Sequence, residues 1–81
     1  MSNNFISIIG GAGHVGFPLG LAFANKNLNV NLIDINNKSL NLIKSGTPPF
    51  YEIGAKKILR KCLINNRISF SKDLSSVKKS K

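Results

Sequence analysis

The chain alternates short β-branched apolar runs with longer stretches in which apolar positions recur at helical spacing. Phe5-Ile6-Ser7-Ile8-Ile9 is mostly apolar on both faces, the pattern of a parallel strand covered by helices on each side, and it ends in glycine. From about His14 to Asn25, Val15, Leu19, Ala22 and Phe23 recur at helical spacing and predict a stripe that packs back onto that strand. Pro18 falls early in this pattern, where backbone N–H groups have no helical partner to lose, so the helix begins near Val15. It should fray at Asn25-Lys26-Asn27.

Asn29-Val30-Asn31-Leu32-Ile33-Asp34 reads as a second strand with an acid at its C-terminal end. A helix of about three turns follows, capped by Asn36 or Asn37, with Leu40, Ile43 and Leu42 inward and Gly46 ending it. Thr47-Pro48-Pro49 forbids continuation and makes a stiff, extended link. The next helix runs from about Gly54 to Asn65 with Ile58, Leu59, Cys62 and Leu63 as its buried stripe. Arg67-Ile68-Ser69-Phe70-Ser71 predicts a third strand, and Asp73 a cap for a short helix through Val77. The order β-α-β-α-α-β, with crossovers too long for hairpins, predicts parallel strands and an α/β fold, the first half of a doubly wound sheet. Such a half-sheet leaves an open edge at its third strand. Residues 1–77 form one partial domain, and Lys78-Lys79-Ser80-Lys81 is expected to be a basic, mobile end.

Composition narrows the classes. The 81 residues permit one small domain, and a chain of that size buries only about 60 to 65 per cent of its unfolded surface. The uncharged run from Met1 to Asn25 is broken by Asn3, Asn4, glycines, His14 and Pro18, so no membrane span is expected. Met1-Ser2-Asn3-Asn4 lacks the basic start of a signal peptide. The single cysteine, Cys62, forms no internal disulfide, which fits a reducing cytoplasm. A net charge of +9 raises nucleic acid as a partner. Its cations cluster late, from Lys56 to Lys81, with no aromatic platform beyond Phe70, in a chain rich in Asn, Lys and Ile throughout. No nucleic-acid partner is therefore expected.

The motif that carries chemistry follows the first strand directly. Gly10-Gly11-Ala12-Gly13-His14-Val15-Gly16 contains the spacing G-x-G-x-x-G as Gly11, Gly13 and Gly16. Gly11 is expected to allow the tight turn, Gly13 to let the backbone approach a pyrophosphate, and Gly16 to let the helix lie close to the sheet. N–H groups at the helix start then face the phosphates. Glycine clusters are common in turns, but this one lies between a strand and a helix, with Asp34 about twenty residues on at the tip of the second strand. An aspartate there accepts hydrogen bonds from the adenosine ribose and repels a 2′-phosphate, so NAD is favoured over NADP. The domain reads as a partial, truncated Rossmann domain with Gly11, Ala12, Gly13, His14, Val15, Gly16 and Asp34 on the cofactor.

His14 lies between the second and third glycines, beside the pyrophosphate, and a packing or phosphate-edge role is expected rather than catalysis. Cys62 is expected to be a buried structural thiol, with no histidine nearby in sequence.

Two stretches carry a family resemblance: Gly11-Ala12-Gly13-His14-Val15-Gly16-Phe17-Pro18-Leu19 with Asp34-Ile35-Asn36, and Gly46-Thr47-Pro48-Pro49-Phe50-Tyr51-Glu52-Ile53-Gly54-Ala55. Together they resemble the N-terminus of the UDP-glucose and UDP-N-acetylmannosamine dehydrogenases, in which a Pro-[Phe/Ile]-x-Glu-x-Gly segment follows the second helix. The second stretch looks closer to the N-acetylmannosamine branch. The resemblance covers nearly the whole chain but only the first fifth or so of such an enzyme. It implies NAD-dependent oxidation of a UDP-sugar C6 alcohol to the carboxylate through a thiohemiacetal on a catalytic cysteine. It implies a homo-oligomer at full length. That cysteine, its partner lysine and the sugar domain have no counterpart here, so no catalytic residue is expected and the 81 residues are expected to be inactive by themselves. The family often has a basic residue five positions after the aspartate, where this chain has Ser39, with Lys38 beside it as a substitute candidate.

Other readings are a 3-hydroxyacyl-CoA-type dehydrogenase with the same fingerprint, and a stand-alone nucleotide-binding module or inactive remnant. A small basic nucleic-acid binder ranks last.

Overall fold

The computed structural model describes residues 5–72. Its elements are β1 (Ile6–Ile9), α1 (Gly16–Asn25), β2 (Val30–Ile33), α2 (Asn37–Lys44), α3 (Ala55–Ile64) and β3 (Ile68–Ser71). The strands form one sheet in the order β1-β2-β3, and both pairs are parallel. This is the α/β arrangement expected from the sequence. The predicted helix capped by Asp73 lies outside the described residues, as do residues 78–81. Among the described residues no helix is long and apolar enough to cross a membrane.

Register fixes which side chains share a face. Ile6, Val30 and Ile68 are partners, as are Ile8, Leu32 and Phe70, and all six join the hydrophobic cluster made by the helices. The alternate row, Ser7, Asn31 and Ser69, points the other way, as the two-residue period of a strand requires. In that row the Asn31 side chain is buried, and its Oδ1 accepts from the hydroxyls of Ser69 at 3.2 Å and Ser71 at 3.3 Å. For β1 the expectation of cover on both faces is not met among the described residues, since Ile9 on the other side is 68% exposed, although β2 is buried along its whole length.

That core joins Phe17, Leu21 and Ala24 of α1, Leu40 and Ile43 of α2, and Ala55, Leu59 and Cys62 of α3 over Ile8, Val30 and Leu32. Burying each large side chain is worth about 1.5–3 kcal/mol. The inward stripe of α1 differs from the expected one. Val15 is 80% exposed and Leu19 47%, Ala22 is exposed, and only Phe23 joins the cluster. The helix is apolar nearly all round, so periodicity leaves its rotation open. Close approach to the sheet decides it, turning Gly20 toward Leu32. Leu42, at 41% exposure, likewise faces outward rather than inward.

The helix ends follow local chemistry. Pro18 sits in the first turn of α1, where it removes no helical bond. The Asn36 side chain accepts from the Ser39 amide at 3.1 Å and caps α2. Gly46, at φ +91°, closes that helix in a Schellman motif: its N–H donates to Ile43 O and that of Thr47 to Leu42 O. The Arg60 Nε donates to Gly46 O at 3.2 Å and ties α3 to that corner. Among the described residues β1 pairs only with β2, so it forms a second sheet edge there besides the β3 edge expected from the sequence.

Candidate functional site

The chain leaves β1 through a turn fastened to the neighbouring strand. The amides of Gly10 and Gly11 both donate to Ile33 O, at 2.8 and 3.0 Å. Gly10 carries the positive φ of the tight turn, +74°, beside the Gly11 expected to allow it. Gly11 instead lies so close to Leu32 that a Cβ would come within 2.7 Å of that side chain's own Cβ. The third glycine is also reassigned. A Cβ on Gly16 would sit 2.2 Å from Gly10 O, so Gly16 packs the helix start against the turn. The glycine that brings α1 onto the sheet is Gly20, whose added Cβ would meet Leu32 Cδ2 at 2.6 Å. Sequence reasoning passed over Gly20, although its spacing of four from Gly16 puts both on one helix face. Gly13 faces the most open space of the three fingerprint glycines, with only Gly10 O within 4 Å of an added Cβ, at 3.3 Å.

The hydrogen bonds of the turn leave a defined set of donors. Gly13 N donates to Gly10 O and Phe17 N to Gly13 O, while the Ala12 amide donates to Asp34 Oδ2 at 2.9 Å. Between them, the backbone amides of His14, Val15 and Gly16 carry no hydrogen bond among the described residues. Val15, the residue before α1, supplies no side-chain cap either. Three consecutive N–H groups at the positive end of a ten-residue helix are therefore open to an anion.

Asp34 follows the last residue of β2, so the sheet delivers its carboxylate beside the glycine turn. One oxygen takes the Ala12 amide and the other the Asn36 amide at 3.0 Å. Each carboxylate oxygen offers two lone-pair sites, so each keeps one for a ligand hydroxyl. Lys38 is exposed in the first turn of α2. Ser39, at the place of the family's basic residue, gives its amide to the Asn36 cap.

His14 is exposed, and its ring stacks on Phe50 with centroids 4.3 Å apart and planes 11° apart. The same Phe50 meets buried Phe17 edge-on at 5.8 Å and 88°. The Pro48-Pro49 link thus carries an aromatic ring back to the glycine turn, a contact invisible in the linear sequence. Cys62 is buried in the core, and burial raises its thiol pKa against the opposing pull of Lys61. It lies outside the glycine turn. The described residues hold no His/Cys/Asp/Glu cluster able to bind a metal. A wide groove of about 1080 Å³, along Tyr51, Ile53, Lys56, Lys57 and Ile64, is separate from the glycine turn.

The chain is similar to proteins of one known family. The family model "UDP-glucose/GDP-mannose dehydrogenase family, NAD binding domain" matches residues 4–81. UDP-glucose 6-dehydrogenase TuaD of Bacillus subtilis is 32% identical over 71 residues, which are 88% of this chain and 15% of that protein. The structure of a UDP-glucose dehydrogenase from Pyrobaculum islandicum superposes with a TM-score of 0.79 at 28% identity, covering 86% of this chain and 16% of that one. A UDP-N-acetylmannosamine dehydrogenase from Pyrococcus horikoshii shares the fold with a TM-score of 0.84 at 24% identity, over 94% of this chain and 18% of that one. The chain spans under a fifth of each relative. With the match covering nearly every residue, the chain belongs to the UDP-glucose/GDP-mannose dehydrogenase family, as its NAD-binding domain.

Proposed function

We propose that the turn after β1 binds the pyrophosphate of NAD through the amides of His14, Val15 and Gly16, and that Asp34 holds the adenosine ribose. The observation that carries this reading is the run of three unpartnered amides beside a carboxylate that retains acceptor capacity. Gly11 and Gly16 keep the turn tight, and the open space at Gly13 lets a phosphate approach. Ala12 acts indirectly: its amide is given to Asp34, so it braces the site and does not face the phosphates. Lys38 stands exposed on the next helix, available to a ribose or phosphate edge. The residues fit a dinucleotide: donors for the anion and an acid for the ribose, whose charge opposes a 2′-phosphate.

Bound NAD supplies a hydride acceptor. This chain's residues bind and orient the adenine half of the cofactor. In a longer enzyme of this family the oxidised group is the C6 alcohol of a UDP-sugar, with UDP-N-acetylmannosamine preferred. The resemblance of Pro49-Phe50-Tyr51-Glu52-Ile53-Gly54 to that branch supports the preference. Residues 1–81 supply cofactor binding without catalysis, and the full enzyme is a homo-oligomer.

Isothermal titration of the full chain with NAD and with NADP tests the proposal. Saturable heat with NAD, at least tenfold weaker binding of NADP, and loss of NAD binding in Gly13→Val are expected. Equal affinity for both nucleotides, or NAD binding untouched by Gly13→Val, would overturn it.

A further inference from the structure

The open amides of residues 14–16 lie in a segment with few internal restraints. Gly16 is seated against the Gly10 carbonyl, but Val15 is 80% exposed and the His14 side chain is exposed. The contact that holds His14 comes from a distant part of the chain. Phe50 lays its face on the His14 ring and meets Phe17 in a T-shaped contact, so one side chain touches the first residue of the segment carrying the free amides and the residue that follows it. Phe17 is fully buried and its amide is bonded to Gly13 O, which makes it a fixed anchor. Two consecutive prolines precede Phe50 and stiffen the link that carries it, so the chain loses less freedom when the ring docks.

From this bracket we infer that Phe50 is a positioning residue for the cofactor: it clamps the His14 ring to the anchor at Phe17 through its own ring and holds the three amides aimed at a diphosphate. The inference rests on the NAD-binding reading. The physical cause is preorganisation, because a turn already held in its binding geometry loses less freedom on association. An aromatic pair of this kind contributes enough to change affinity about two- to tenfold.

The test is a pair of single variants and their combination in the full chain, titrated with NAD and with adenosine. His14→Ala and Phe50→Leu are each expected to weaken NAD about two- to tenfold. The double variant should be no weaker than the worse single, because the two rings act as one unit. Adenosine lacks the diphosphate, so its binding should not change, whereas general loosening of the domain would weaken it too. Phe50→Tyr keeps the ring and should restore NAD affinity. In proton spectra, the upfield ring-current shift of the His14 ring protons should vanish in Phe50→Leu and return in Phe50→Tyr. If Phe50→Leu fails to fold, His14→Ala decides the matter, since that side chain is exposed. Additive losses in the double variant, or an unchanged NAD affinity in His14→Ala, would overturn the clamp while leaving NAD binding intact. Absence of NAD binding in the unmodified chain would remove the cofactor reading and the clamp with it.

Discussion

The carboxylate of Asp34 and the backbone amide of Ala12 are 2.9 Å apart, joining the end of β2 to the turn that leaves β1. The other oxygen of the same carboxylate takes the Asn36 amide, so a single acid braces two loops at the top of the sheet. Its replacement therefore has two consequences, one for folding and one for ligand discrimination.

Asp34→Ala removes two hydrogen bonds to an ionised acceptor, each of a class worth about 1.5–3 kcal/mol when buried and less at this half-exposed position. A loss of about 1–3 kcal/mol in urea denaturation is expected. Asp34→Asn keeps an acceptor for Ala12 and should cost less, while narrowing the gap between NAD and NADP in titration. Identical stability of the Ala variant and the parent would contradict the bracing role.

Two glycines of α1 should respond differently to alanine. At Gly20 the added Cβ meets the far end of the Leu32 side chain, which can rotate away, so a cost of about 1–3 kcal/mol is expected. At Gly16 it meets a backbone carbonyl, Gly10 O at 2.2 Å, which cannot move without opening the turn. Gly16→Ala should be the more damaging substitution by thermal melting, and the opposite ranking would count against the assigned contacts.

Gly46 and Gly54 both have positive φ, +91° and +80°. Alanine in that region costs roughly 1–2 kcal/mol. Space separates the two sites: a Cβ at Gly46 would come within 3.0 Å of Arg60 Nε, whereas Gly54 has nothing within 4 Å. Denaturant midpoints should therefore fall further for Gly46→Ala than for Gly54→Ala.

The buried thiol of Cys62 gives a pH dependence. Burial raises its pKa above the ordinary 9.0, with Lys61 pulling the other way. Above pH 9 the unfolded chain releases the thiol proton while the folded chain retains it, so folding stability falls as pH rises through the folded pKa. Below that window this contribution is fully present. Cys62→Ser should flatten the alkaline limb of a melting-temperature profile, and alkylation by iodoacetamide at pH 8 should be slow until denaturant is added.

Six elements and their order were legible in the sequence because strand and helix periods differ and because Asn36, Gly46 and the prolines punctuate the chain locally. The rotation of α1 was not. Val15, Leu19 and Ala22 form a helical stripe as regular as Phe17, Leu21 and Ala24, and only the approach of Gly20 to Leu32 selects the second. At the site, the glycine spacing and Asp34 were readable as types at positions. The division of labour among Gly10, Gly11 and Gly16 depends on three-dimensional crowding, which spacing does not encode. The stack of His14 on Phe50 joins residues far apart along the chain and had no local signal.

The polar row Ser7, Asn31 and Ser69 has a consequence for strand alignment. Sliding β2 by one residue would drive the Asn31 amide into the oily side of the sheet and push Val30 and Leu32 out of it, a doubly unfavourable exchange. The row thus works as a proofreading key against one-residue slips, which would turn these three short, parallel strands inside out.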